Sequence, residues 1–543
     1  MNLLEIFFSL ILLAFVIRTL RNAFYHVFLW QLKEYRVDRI LAHLKTPQGK
    51  RLILGPVTLI KWVLLVVILI FPFLQGQNIY LISEFTTIKI VKIGLLGFWL
   101  ILVAEGLINI RELLTTKWRM PRFTPKIIII LLIVLFIQSL SLDEPEISLA
   151  LLPFLDKFLA PSIAVLMILF NIPSNLYKKI LIRRARKKIS KLKNLFVIGI
   201  TGSFGKTSTK EFLTTILSEK YKVAKTPASQ NTDIGIAKYI INELRADHEI
   251  FVVEMGAYKK GEIKAICEMV HPKMGIITGI NEQHIELFGS VEKTKIAKYE
   301  LIDSLPEGST AIFNGNNHHC LEMATWAKRG RLNILVYATK EINDIKSFKD
   351  HLEFTYTKSC KKYRMSAFLL GTQNIENILA AIYAARNLKM NMVDVKHGVG
   401  KITSPDKTMK LYKKPSGMAL IDDSFNANPD GAVAALRYMR LYSGKKILVL
   451  SPLIELGEVT ADVHKKIGKA AAEICDFVFL TNSNFEKSFY DGFIQAGGDG
   501  QKIKVASKSS ISKTLKKLAG KSGVMMFEGK ETGGILNELR IKN

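Results

Sequence analysis

The stretch Leu195-Phe-Val-Ile-Gly-Ile-Thr-Gly-Ser-Phe-Gly-Lys-Thr-Ser-Thr209 passes from a short apolar strand, 195–200, through a glycine-rich turn into a helix expected over 206–217. Strand, turn and helix in that order make a phosphate cradle. Gly202 and Gly205 let backbone N–H groups approach phosphate oxygens, and the helix N-terminus adds a favourable dipole. Lys206 is placed to reach the β- and γ-phosphates and the Thr207 hydroxyl to ligate Mg²⁺, with Ser203 and Ser208 in the same nucleotide-side turn. The full Walker spacing asks for glycine at position 200 and finds Ile200, so the shorter Gly-x-x-Gly-Lys-Thr form rests on its strand–turn–helix context.

Downstream, residues 250–254, 274–278 and 447–450 read as further strands with helical patterns between them, which predicts a parallel α/β sheet. Strand signals thin out over 333–368, a helix is expected over 374–388, and a loop over 401–414 separates it from a second α/β stretch. Glu254 ends a strand beside the nucleotide crevice, His284 follows the strand 274–278, and Lys298 sits in a helical pattern. By spacing alone, Glu254 reads equally as a Mg²⁺ ligand or a capping carboxylate. His284 reads as a site residue or a structural histidine, and Lys298 as a site residue or a solvated lysine.

Upstream, the material changes. The chain of 543 residues carries 76 Lys and Arg against 47 Asp and Glu, a net charge of +29. Its mean hydropathy is nevertheless +0.20. Such apolar content excludes a disordered chain. The four cysteines, Cys267, Cys320, Cys360 and Cys475, are too scattered for a disulfide scaffold or a paired-cysteine zinc site. Both oddities of composition concentrate before residue 195. Apolar segments at 3–20, 52–74, 93–110, 127–142 and 158–172 alternate with loops of unequal charge, and about 20 apolar residues span a bilayer. The first four read as spans, and the fifth is short. Loops 21–51 and 111–126 and the run 178–193 are rich in Lys and Arg, whereas 75–92 and 143–157 are not. Positive loops stay cytoplasmic, so an outside N-terminus and five spans are expected, with everything after residue 172 inside. Lys61 and Glu105 interrupt two spans, either as an embedded functional pair or through snorkelling and bundle contacts. The basic run after the last span reads as topology and contact with anionic lipid rather than nucleic acid.

Six stretches occur in order: TGSFGKTSTKEF (201–212), EMGAYKKGEI (254–263), NEQHIELFGS (281–290), AKYELIDSLPEG (297–308), NIENILAA (374–381) and IDDSFNANPDGAVAAL (421–436). Together they resemble the Mur ligase family over about residues 195–540, its central ATPase and C-terminal domains. The last stretch, with ILVLSPLIELG (447–457) and His464, is most similar to the branch that adds D-alanyl-D-alanine.

The resemblance implies an ATP- and Mg²⁺-dependent amide ligase of cell-wall (peptidoglycan) precursor synthesis, in which ATP phosphorylates a carboxylate and an amine attacks the acyl phosphate. It implies that Lys206 holds the β/γ-phosphates and Thr207 one of two Mg²⁺ ions. Glu254 and His284 would surround the second ion, and Lys298 would carry a CO₂-derived carbamate. Asn374 and Asn377 would lie on the adenine side and Asp423 on the ribose. Asn231 and Thr232 would sit in the acceptor loop, and Asn426 and Asn428 at the domain interface. The implied partners are a D-alanyl-D-alanine-like amine and a muramyl-peptide-like carboxylate.

Four departures stand out. Gln373 replaces a histidine of the adenine-side motif, Gly279 stands where the family has asparagine, and Thr408 stands where it has arginine. Spans and a basic linker take the place of the UDP-sugar-binding domain, so the acceptor is expected to be recognised differently, at the membrane, and a capsular poly-amino acid or a lipid-linked peptide is the alternative to the muramyl tripeptide. A non-catalytic membrane P-loop regulator is the alternative. The expected organisation is a multi-span helical membrane region (1–175) in the cell membrane and a basic linker (176–194). A cytoplasmic P-loop parallel-sheet ATPase domain (195–405) and a smaller Rossmann-like α/β domain (406–543) follow.

Overall fold

The computed structural model describes residues 3–33, 35–45, 47–76, 84–115, 118–139, 145–228, 230–283, 285–327, 330–358, 360–425, 427–454, 456–518 and 522–540. The chain forms two compact units, Met1–Lys179 and Ile180–Asn543.

The first unit is helical. Its longer helices are Leu3–Leu32, Pro56–Gly76, Glu84–Leu114, Pro125–Ser139 and the start of Pro145–Lys191. Among the described residues, four helices are long and apolar enough to cross a membrane, and Pro125–Ser139 is a shorter apolar helix. The expected fifth segment and the expected basic linker are one continuous helix, Pro145–Lys191, despite Pro153, Pro161 and Pro173 within it. Lys61 does not snorkel. It is 1% exposed and contacts Glu105, with Asp156 at 3.4 Å, and Arg18 contacts both carboxylates. These four charges come from four helices, and burial without such pairing would be costly.

The C-terminal part of the long helix belongs to the second unit. Leu181, Ala185 and Ile189 recur every fourth residue, which puts them on one helix face. They are buried in the same core as Leu195 and Val197, while Arg183, Arg184, Arg186 and Lys187 are exposed. The basic run is therefore one face of an amphipathic helix whose other face is core, rather than a free linker.

A six-stranded parallel sheet follows, from β1 (Phe196–Thr201), β2 (Val223–Lys225), β3 (Ile250–Glu254), β4 (Met274–Ile277), β5 (Thr310–Asn314) and β6 (Asn333–Tyr337), in the order β2-β3-β1-β4-β5-β6. Alternate residues bury on opposite faces. Phe251 and Val253 join one core, and Ile250 and Val252 the other. The strand order reverses beside β1, so a crevice opens at its carboxyl end, where Gly202–Lys206 lies. Where strand signals were expected to thin out, β7 (Ile342–Ser347), β8 (Leu352–Lys358) and β9 (Lys361–Ala367) form an antiparallel sheet. Their alternation is faint because β7 and β9 expose most of their residues and carry lysines on those faces. The helix Asn374–Asn387 matches expectation to within a residue.

The expected loop before the second sheet contains a strand, β10 (Lys410–Lys413), antiparallel to β11 (Met418–Asp423). The remaining strands are β12 (Lys445–Leu450), β13 (Phe477–Leu480), β14 (Ile503–Val505) and β15 (Gly523–Glu528), in the order β10-β11-β15-β12-β13-β14. Helices such as Pro429–Tyr438 and Thr460–Ala472 cover the sheet.

Candidate functional site

The turn after β1 needs both its glycines. Gly205 has φ +76° and a Cβ there would meet the Asn377 amide at 2.5 Å, while a Cβ on Gly202 would meet the Thr278 hydroxyl at 2.3 Å. The turn delivers Lys206 to the first position of the helix Lys206–Leu217, where its Nζ donates to the carbonyls of Gly202 (2.8 Å) and Ser203 (2.9 Å). Burial holds its pKa below the usual lysine value, and Glu254 opposes that shift.

Beside it, Thr207 Oγ1 donates to Glu254 Oε2 at 3.0 Å, and Asn231 Nδ2 donates to Glu254 Oε1 at 3.0 Å. Lys210 is fully buried with its Nζ 3.3 Å from Glu254 Oε2, an ion pair that sequence reasoning missed. Its signal was present: Lys210 lies one turn after Lys206, on the same helix face.

Lys298 is not the solvated lysine that its spacing allowed. It is 3% exposed, donates to the Ala257 carbonyl at 3.2 Å and packs over the Phe288 ring. Burial, with the Lys206 charge adding, pushes its pKa down to about 7. Two residues on, Glu300 accepts from the backbone N–H groups of Gly261 (2.6 Å) and Lys264 (3.0 Å), tying this helix to the loop after β3.

These groups line two adjoining cavities. The smaller, about 230 Å³, is lined by Lys206, Thr207, Asn231, Glu254 and Lys298 among others. The larger, about 450 Å³, runs from the turn Ser203–Ser208 past Asn374 and Asn377 to Asp423, Asn428 and Glu528 of the second sheet. Asn281 Nδ2 donates to Asp430 at 3.3 Å across the two sheet domains.

The remaining expected site residues divide. Asn374 and Asn377 both line the larger cavity; Asn377 accepts from Thr209 at 3.2 Å, and Asn374 is buried, its amide donating to the Leu370 carbonyl at 2.9 Å. Gln373 and Thr408 both line the larger cavity. Asn428 caps the helix Pro429–Tyr438. Thr232 caps the helix Asp233–Asn242 by accepting from Gly235 and lines neither cavity, so its hydroxyl is already committed. His284 and Asn426 lie outside the described residues. The glycine at 279 has a steric reason, because a Cβ there would meet the Phe204 ring at 2.3 Å.

Mg²⁺ takes oxygen ligands in octahedral geometry. Thr207 Oγ1 and Glu254 Oε2 are such donors, adjacent in one cavity beside the phosphate cradle, so the donor set fits a divalent ion. Among the described residues there is no group of three or more His, Cys, Asp or Glu that could hold a metal by itself. Phosphate oxygens would complete the shell, as is usual for Mg²⁺.

Residues 200–385 match the Mur ligase middle domain and residues 409–530 the Mur ligase glutamate ligase domain. The chain is similar to UDP-N-acetylmuramoyl-tripeptide–D-alanyl-D-alanine ligase of Bacillus subtilis (strain 168), 28% identical over 337 residues, covering 61% of this chain and 72% of that protein. It is similar also to the ligase of the same name from Borreliella burgdorferi (strain ATCC 35210 / DSM 4680 / CIP 102532 / B31), 33% identical over 298 residues, covering 53% of this chain and 62% of that protein. The chain thus spans six- to seven-tenths of the length of these relatives. Its fold resembles the crystal structure of MurF from Acinetobacter baumannii, with TM-score 0.61 and 24% identity, covering 67% of this chain and 81% of that one. It also resembles MurF ligase from Thermotoga maritima in complex with ADP, with TM-score 0.58 and 23% identity, covering 67% and 83%.

Proposed function

Because the chain belongs to the Mur ligase family, we propose that it is an ATP-dependent amide ligase of cell-wall precursor synthesis, anchored in the cell membrane with its ligase domains in the cytoplasm. The amine it adds is D-alanyl-D-alanine and the acceptor is the carboxylate of a muramyl tripeptide. The observation that carries this reading is the convergence of Lys206, Thr207, Glu254 and Lys298 on one cavity that adjoins a second, nucleotide-sized one.

The residues divide the work. Lys206 and the N–H groups of the turn hold the β- and γ-phosphates in line with the acceptor carboxylate. Asn377 and Asp423 hold the nucleoside end. Thr207 and Glu254 would hold Mg²⁺, which when bound neutralises charge developing on the phosphoryl oxygens. Lys210 orients Glu254 through their ion pair. The neutral Lys298 amine is the form that reacts with CO₂, and the lysine's lowered pKa supports a carbamate there. The carboxylate oxygen takes the γ-phosphoryl group, ADP leaves, the amine attacks the acyl carbon and phosphate departs.

The test is phosphate release by the purified full-length protein with ATP, D-alanyl-D-alanine and muramyl tripeptide. Release should require all three. Release with a different carboxylate instead would move the assignment to another acceptor. The absence of turnover with any acceptor, with nucleotide still bound, would favour a non-catalytic regulator.

A further inference from the structure

Asp423 and Glu528 occupy in-register positions at the carboxyl ends of the neighbouring parallel strands β11 and β15. Residues so paired point to the same face, at the strand spacing of about 4.8 Å. Both line the larger cavity, and Glu528 is 2% exposed. No ion pair reaches either among the described residues. Asp423 accepts one hydrogen bond, from the Met409 N–H at 3.2 Å. The nearby Asp422 adds a third carboxyl, already engaged by Ser424. Glu528 Oε2 is buried with no hydrogen-bond partner.

Two carboxyls set side by side on neighbouring strands, Glu528 fully buried, repel each other when both are ionised, which favours sharing one proton. Burial raises both pKa values; Asp423 raises that of Glu528 further, whereas the hydrogen bond with Glu528 opposes the rise at Asp423. A half-protonated pair presents an O–H donor and several acceptor lone pairs in one place. That pattern complements a vicinal diol, whose two hydroxyls each donate and accept. Buried polar groups left without partners are costly, so the orphaned oxygen calls for a ligand.

We propose that Asp423 and Glu528 act together as a one-proton acid pair that grips the ribose diol of the bound nucleotide, with Glu528 as a direct ligand contact. The inference rests on the nucleotide reading of this cavity and adds to it a second carboxylate and a protonation state.

The test varies the ligand as well as the protein. Binding of ADP, 2′-deoxy-ADP and 3′-deoxy-ADP to the full-length protein is measured by calorimetry. Wild type should bind ADP about tenfold more tightly than at least one deoxy analogue, the loss expected for a hydrogen bond to a charged group. In Glu528→Ala that ratio should fall, because only Asp423 remains to hold the diol. Glu528→Gln, which keeps a neutral donor, should retain more of it than Glu528→Ala. The thermal midpoints of both variants establish that they fold, and the ratio between ligands does not depend on the fraction folded. Equal ADP/deoxy-ADP ratios in wild type and Glu528→Ala would overturn the acid pair and leave the nucleotide site standing. Failure of wild type to bind ADP at all would overturn both.

Discussion

Lys298 illustrates how far burial changes a residue's chemistry. As an ammonium it would repel a nearby divalent ion, whereas as a carbamate it supplies oxygens of the kind Mg²⁺ prefers. Lys298→Ala should lose most ligase turnover, and added formate or acetate should restore part of it. Lys298→Arg should not recover, and wild-type activity in that variant would reduce Lys298 to a structural lysine. Lys206→Ala should lower turnover at least about a hundredfold, because the γ-phosphate loses its positioning cation. Near-normal phosphate release would refute the ATP assignment. His464 supplies a pH prediction. Its Nε2 accepts from the Leu453 N–H at 3.1 Å and its Nδ1–H donates to the Thr460 carbonyl at 2.7 Å, so the Leu453 bond needs the neutral ring. Burial lowers its pKa in the folded state. The stability this contributes is complete above the unfolded value of about 6.5 and is lost as pH falls through the lower folded value. The thermal midpoint should therefore drop between pH 7.5 and pH 5. His464→Gln should be less stable at pH 7.5 by about 1 kcal/mol and show a flatter profile, read by thermal unfolding at both pH values.

At the scale of the element, the helix Pro145–Lys191 does two jobs with one periodicity. Its start is mostly apolar with Asp156 and Lys157 set into it, and its end keeps a single apolar stripe, Leu181, Ala185 and Ile189, under a basic face. Leu181→Ala should destabilise the second unit by about 2 kcal/mol through lost burial and a cavity. Arg184→Gln, on the exposed face, should stay within about 0.5 kcal/mol. Denaturant midpoints of the two variants decide it, and equal effects would mean that the stripe is not packed. Membrane affinity should respond the other way round, since the exposed cations rather than the stripe attract anionic lipid.

Across the whole molecule, the ion cluster of Arg18, Lys61, Glu105 and Asp156 joins four helices of the first unit. Removing one partner strands buried charge, so Glu105→Ala should cost about 3–5 kcal/mol. The double variant Lys61→Met with Glu105→Leu should recover part of that. Thermal aggregation in detergent ranks the three proteins, and a double variant worse than Glu105→Ala would count against the pairing. Topology has its own test. With the exposed Cys360 replaced by serine, Glu146→Cys should label from outside the cell and Lys187→Cys should not. External labelling at position 187 would change the number of crossings, most directly at Pro125–Ser139, the shortest apolar helix.

What the sequence determined by itself was local. The strand, turn and helix over 195–217 were legible because glycine spacing and helical periodicity act within a few residues. The same holds for β3, β4 and the helix Asn374–Asn387. The antiparallel strands β7–β9 were not legible, because exposed lysines mask their alternation. The P-loop half of the site was readable, but its closure was not. Only the fold brings Lys210 under Glu254, fills the space beside Gly279 with the Phe204 ring, and gathers Arg18, Lys61, Glu105 and Asp156 from separate helices. Only parallel pairing of β11 with β15 sets Glu528 beside Asp423. These contacts join residues far apart in the chain. Strand register and helix packing determine them, and a sequence pattern records its own face but not the partner that will cover it.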